Sequence, residues 1–216
     1  MALDYLRKWY LFGWAWKEEL RDRPSLCFPD DHDVYQGNIW GAGGIESKMR
    51  GGFADGGYGM AAAWVNAVQR TQCAHMPDPY DPTPIAQDIS VYYGDFNYGR
   101  VSFAMLEDRK FKSGPATALP NKGGRPDHVR PNDVDAKTWD PYSIDAPQAK
   151  LLGDRQLKFL DHWAADWTKA DFKAVLSQTI FCNLANYHGG GRSYLIADLD
   201  SNGWPQTGRN KALRAM

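Results

Sequence analysis

The sequence predicts an α/β fold, a mixed sheet with flanking helices and long loops. Three observations carry this expectation. Short apolar runs stop abruptly at polar, chemically capable residues, as strands feeding a site at a sheet edge do. Longer segments repeat apolar residues at spacings of three and four, the period of a helix. Between them, Gly and Pro gather in clusters that regular structure does not tolerate.

The chain of 216 residues is long enough for one or two domains with a real core. Hydrophobic residues make up 43% and charged residues 24%, which excludes a disordered chain. Lys plus Arg is 25 against 26 for Asp plus Glu, so the basic excess of a duplex nucleic-acid binder or an electrostatic membrane anchor is missing. No apolar run approaches the ~20 residues of a membrane span. The apolar stretch Trp9 to Trp16 is short, aromatic and bounded by Lys8 and Lys17, unlike a secretory leader. With no signal peptide in the chain, the cytoplasm is the default compartment. Cys27, Cys73 and Cys182 form no C-x-x-C pair, so neither a disulfide framework nor a zinc finger is expected.

Along the chain, Asp4 to Leu20 reads as a helix with Trp9, Phe12, Trp16 and Leu20 on one face, ended by Pro24. Ser25 to Phe28 reads as a short buried strand. Gly37 to Gly59 is a glycine-rich loop, and Met60 to Gln72 an alanine-rich helix. Ile89 to Tyr93 and Arg100 to Leu106 read as an antiparallel pair joined by a loop longer than two residues. In the second, Val101, Phe103 and Met105 alternate with Ser102 and Ala104. Residues 114–147 carry Pro115, Pro120, Pro126, Pro131, Pro141 and Pro147 and read as an irregular insertion. Gly153 to Trp167 is a helix with a stripe of Leu157, Leu160, Ala164 and Trp167. Phe172 to Leu176 is a strand, and a short helix starts near Gly208.

Three apolar runs therefore lead into polar clusters: Asp30-Asp31-His32-Asp33, Glu107-Asp108-Arg109 and Ser177-Gln178-Thr179. The first is the sharpest. Three carboxylates within four residues repel one another unless a cation or a charged imidazole compensates. That donor set suits a divalent or trivalent metal, and His32 between acids suits a general acid. The plainer reading is a solvated acidic turn whose Asp side chains cap the next segment. Arg109 offers a planar fork for phosphate, or else a structural ion pair. His188 before Gly189-Gly190-Gly191-Arg192 offers a second, weaker phosphate cradle. His162 reads as a surface or packing residue.

These stretches also resemble a family. Cys27-Phe28-Pro29-Asp30-Asp31-His32-Asp33-Val34, with Asn38 and Trp40 beyond, looks like the W-D-D-H-E…N motif of the PhoD-like alkaline phosphatases, a branch of the calcineurin-like metallophosphoesterases. Leu106-Glu107-Asp108-Arg109 resembles their L-D-x-R. Leu152-Gly153-Asp154-Arg155-Gln156, followed by Phe159-Leu160, resembles L-G-x-x-Q…W-L. Asp198 to Pro205, followed by Arg209, resembles D-x-W-D-G-Y-x-x-x-R. Asp33, Glu107 and Asn202-Gly203-Trp204 depart from the usual residues.

The resemblance implies a metallophosphoesterase-type αββα sandwich, present in part, and metal-dependent hydrolysis of phosphate mono- or diesters. It implies two metal ions, with Ca, Mn, Fe and Zn all open. Asp31 and Asp30 would be metal ligands and His32 the residue that assists the leaving group, oriented by Asp33. Arg109, Asn38, Asp200 and Arg209 would face the substrate. The family's upstream G-D-x-x-Y and downstream G-D-x-H motifs do not occur, so residues 1–216 are expected to be the central part of a longer enzyme, partnered by its remainder. The alternatives are a catalytically silent domain and a Trp-rich carbohydrate- or polymer-binding module.

Overall fold

The computed structural model describes residues 1–34, 41–48, 55–119, 138, 140–181, 199 and 203–216. Its centre is a three-stranded mixed sheet: β1 (Gly94–Tyr98), β2 (Val101–Met105) and β3 (Phe172–Leu176), in that order. β1 runs antiparallel to β2, and β3 parallel to it. The helices are α1 (Ala2–Ala15), α2 (Lys17–Arg21), α3 (Ala62–Cys73), the short α4 (Asp108–Phe111) and α5 (Pro115–Ala118), α6 (Gly153–Ala165) and α7 (Gln206–Ala215). Among the described residues, no helix is long and apolar enough to cross a membrane.

The hairpin differs from its expected form. Ile89 to Tyr93 is not a strand, and the strand begins at Gly94. Tyr98 pairs with Val101, which leaves a two-residue turn, Gly99-Arg100, with both φ angles positive (56° and 65°). That is the backbone twist a tight hairpin favours. Arg100 is not glycine, so it needs support. Its guanidinium clasps Asp171 through two bonds of 2.5 Å, and its carbonyl accepts the Asp171 N–H at 2.8 Å. The turn-rich composition of residues 94–99 concealed a strand held by its partner.

In β2 the buried residues are Ser102, Ala104 and Met105. Ser102 and Ala104 lie under α6, while Phe103 stacks on Phe96 at 4.9 Å on the other face. The Trp163 indole N–H donates to Ser102 Oγ at 2.9 Å, and a larger residue at 102 would leave no room for that ring. The buried stripe of α6 is Gln156, Phe159, Leu160 and Trp163, rotated from the expected Leu157, Leu160, Ala164 and Trp167. Trp167 falls beyond the helix end and is exposed. The difference comes from Gln156, a fully buried polar residue that hydropathy assigns to the outer face. The main core joins this stripe to Val91, Tyr93, Leu106, Phe111, Leu151 and Leu152.

Ser25 to Phe28 is not a strand and lies outside the sheet. The N-terminal helix breaks at Trp16 into α1 and α2, and neither buries a residue. It touches the body through α3, where Tyr5 meets the Trp64 ring edge at 5.3 Å and its hydroxyl accepts from Gln72 Nε2 at 2.8 Å. The insertion at 114–147 contains α5 and a 3-10 turn at Pro141–Ile144. The glycine-rich His188 segment lies outside the described residues.

Replacing Phe159, fully buried, by Ala is expected to lower the unfolding free energy by about 3–5 kcal/mol. Trp167→Ala is expected to cost under about 1 kcal/mol. Urea titrations of the two variants check the rotated stripe.

Candidate functional site

The three polar clusters meet at one end of the sheet. β2 runs into Glu107, Asp108 and Arg109, and β3 beside it into Ser177, Gln178 and Thr179. One side chain fastens the two exits. Asp108 is wholly buried, and its carboxylate accepts three hydrogen bonds: from Ser177 Oγ at 2.5 Å, Thr179 N at 2.8 Å and Arg109 N at 2.8 Å. Glu107, beside it, is clamped by Gln156. The Glu107 N–H donates to Gln156 Oε1 at 2.8 Å, and Gln156 Nε2 returns bonds to the Glu107 and Leu152 carbonyls.

The Glu107 side chain points inward, where it accepts from Tyr92 N at 2.9 Å and pairs with the buried Lys110 ammonium. That ammonium also reaches Gln69 and the Ser90 carbonyl. Burial pushes the Glu107 carboxyl up from its ordinary range, against the pull of Lys110. A pair so enclosed sets geometry rather than adding much net stability.

A loop secures the outside of this turn. Gly41 N, Ala42 N and Gly43 N donate to the carbonyls of Arg109 (2.8 Å), Lys112 (2.9 Å) and Lys110 (3.0 Å). A Cβ on Gly41 would stand 2.3 Å from the Lys110 oxygen, so only glycine allows this approach. The described part of the glycine-rich stretch thus serves as a cap on α4.

The Asp30-Asp31-His32-Asp33 segment forms a 3-10 turn, Asp31–Val34, against this platform. Gln178 Nε2 donates to the Pro29 carbonyl, and Arg109 Nε lies 3.1 Å from Asp30 Oδ1. Behind the turn, Cys73 Sγ donates to the Cys27 carbonyl at 3.8 Å and Cys27 N to His75 Nε2 at 3.3 Å. The end of α3 therefore holds the approach to the turn. Burial pushes both thiols up, Cys73 to about 12.

Within the turn the roles divide. Asp31 is buried (9% exposed), with Oδ2 3.9 Å from His32 Nε2. His32 projects outward, its side chain 88% exposed. Asp33 turns back, and its Oδ2 accepts the Asp30 N–H at 2.8 Å. That is the capping geometry of the plainer reading, and the carboxylate nearest His32 is Asp31. Burial pushes the Asp30 carboxyl up from its ordinary value, more than Arg109 lowers it.

Of the remaining expected residues, Arg209 stands apart. Its guanidinium donates to Asn210 Oδ1 at 3.1 Å and Tyr142 Oη at 3.3 Å. Asn38 and Asp200 lie outside the described residues. Composition gave no sign of Tyr92, whose ring meets Phe28 and whose hydroxyl donates to Gln178 at 3.3 Å. Neither did it signal Lys110.

For a metal ion, the described residues do not suffice. No three His, Cys, Asp or Glu side chains among them converge in a way that would hold one. Asp108 is spent on three donors, Asp30 faces Arg109, and Asp33 caps the turn. The arrangement does combine a planar cation, a solvent-facing imidazole and buried carboxylates, which suits binding and protonating an oxyanion.

Comparison with known proteins adds three findings. The family model for PhoD-like phosphatase matches residues 8–216. A solved structure of PhoD is similar at 20% identity with a TM-score of 0.48, over 86% of this chain and 30% of that one. No curated protein matches.

Asp108→Ala is expected to cost about 3 kcal/mol, since buried donors lose their acceptor. Urea unfolding checks this. Cys73 is expected to resist iodoacetamide at pH 8 in the folded protein and to react once unfolded. With its thiol at about 12, only about one in ten thousand is thiolate at that pH. Peptide mass spectrometry reads the labelling.

Proposed function

The chain belongs to the PhoD-like phosphatase family, and from that premise we propose that it hydrolyses phosphate mono- or diesters at the Asp30–Arg109 end of the sheet. The observation that carries the reading is the Arg109–Asp30 contact at 3.1 Å, which sets a guanidinium fork against the turn that carries the exposed His32. A phosphoryl group takes Asp30's place on that fork, because two phosphate oxygens match the guanidinium plane better than one carboxylate edge. Displacing Asp30 is eased by its exposure: its side chain is half open to solvent, so the released carboxylate is hydrated.

His32 then sits on the solvent side of the bound ester, where a proton donated to the departing alcohol oxygen is worth about 10²–10⁴ in rate. Asp31, 3.9 Å from Nε2, supports the imidazolium. Asn38, Asp200 and Arg209 are proposed as further substrate-binding residues.

Members of this family are generally metal-dependent. Asp31 and Asp30 are proposed among the residues that would hold metal ions, which would supply an activated water. The described residues would need additional donors for that. The chain spans 30% of the length of the PhoD chain it resembles, and an αββα sandwich of the metallophosphoesterase kind is proposed for the whole.

The test uses the full-length protein with p-nitrophenyl phosphate and bis-p-nitrophenyl phosphate. His32→Ala is expected to lower kcat about 10²-fold or more. Arg109→Lys is expected to raise KM, because a point charge cannot replace the fork. A chelator is expected to abolish turnover. Unchanged kinetics in both variants would remove the site from the reaction.

A further inference from the structure

A second concavity lies at the opposite end of the sheet, between the β1–β2 hairpin and the C-terminal end of α6. It has a volume of about 150 Å³ and is lined by Tyr80, Asp95, Asn97, Ser102, Trp163 and Asp166 among others. The residues that line it share none with those around Glu107 and Arg109, so the two sites do not overlap. We propose that this concavity binds a neutral polyhydroxylated ligand, a sugar ring.

The register explains the lining. Asn97 lies opposite Ser102 and Asp95 opposite Ala104, so all four side chains share the face that meets α6. Among the described residues, the Asp95 and Asn97 side chains make no hydrogen bond or ion pair with the protein, yet both front the cavity. At its floor, Ser102 is 4% exposed. Its oxygen accepts the Trp163 indole N–H, and its own proton has no acceptor among the described residues. Asp166 at the end of α6 uses only Oδ1, for Thr168 N and Oγ1. Tyr80, 46% exposed and braced by the Phe159 ring at 5.1 Å, supplies a firm aromatic wall.

The chemistry selects the ligand class. A space in which one water needs about 10–15 Å³ holds on the order of ten, the size of one sugar ring. Carboxylate and amide groups beside an aromatic ring pair with vicinal hydroxyls, while the ring covers the C–H face. Asp95 and Asp166 offer a phosphate no donor. Lys169 on the rim and Lys173, paired with Ser102 across the strands, bring the local charge near zero and disfavour a bare cation. An apolar ligand would leave the polar lining unpaired.

The test is saturation-transfer NMR on the full chain with glucose, N-acetylglucosamine and chitotetraose, alongside calcium chloride as a separate titrant. Saturation transfer from the protein to at least one of the sugars is expected. The exposed-site variants Asp95→Ala and Asn97→Ala are each expected to weaken binding about tenfold. His32→Ala is expected to leave it unchanged, so this inference and the phosphatase reading fail independently. Comparing N-acetylglucosamine with chitotetraose separates a free-sugar site, where the two bind alike, from a polymer site, where the oligomer binds tighter. The proposal is overturned by an absence of transfer to every sugar, by binding that both variants leave intact, or by calcium alone shifting the Asp95 and Asn97 resonances.

Discussion

The buried carboxylate of Asp108 is the constraint on which the candidate site depends. Two neighbouring strands leave a sheet in whatever directions their next residues choose. Here one side chain accepts from Ser177 Oγ, Thr179 N and Arg109 N, and so ties both exits to a single point. The orientation of the Arg109 backbone follows, and with it the direction of its guanidinium. Gln156 fixes Glu107 from the other side, and the Gly41–Gly43 amides hold the outer carbonyls. Little of this needs large net stabilisation. Each bond is worth roughly 1 kcal/mol, but each leaves a costly buried orphan if broken.

Function follows from how the Asp30 turn docks on that fixed platform. Arg109 is only 7% exposed and already faces a carboxylate. Under the proposed function, an anionic substrate exchanges with Asp30 on the Arg109 guanidinium. Such an exchange favours ligands with two coplanar oxygens and disfavours chloride-like ions. Holding the turn from behind, through Cys27, His75 and Gln178, keeps the entropic cost of the exchange small. The sugar-sized cavity at the far end of the same sheet depends on the opposite face of the hairpin and on α6, not on Asp108.

The parts of this arrangement that follow periodicity were legible in the sequence. Val101 to Met105, Phe172 to Leu176, α3, α6 and α7 all fall within a few residues of where apolar spacing puts them. The convergence of the three polar clusters followed from the rule that sites lie beyond strand ends, although Ser25 to Phe28 turns out not to be a strand. What stayed hidden depends on tertiary partners. Gly94 to Tyr98 has the composition of a turn and becomes a strand because β2 pairs with it. Gln156 sits on the buried face because it satisfies Glu107, which no hydropathy scale registers. The division of labour among Asp30, Asp31 and Asp33 depends on which carboxylate meets Arg109, and four adjacent polar residues do not encode that. The motif resemblance did single out Gln156 and Arg109, and both lie in the network that shapes the site.

The most direct measurement follows the Arg109 Nε–H resonance of the full-length protein during titration with inorganic phosphate, together with the ¹³C resonance of the Asp30 carboxyl. If the guanidinium exchanges Asp30 for a phosphoryl group, both signals move along one saturable curve, and the curve is lost in Arg109→Lys. If phosphate binds while both resonances stay fixed, the ester is held elsewhere and this end of the sheet is not the reaction centre.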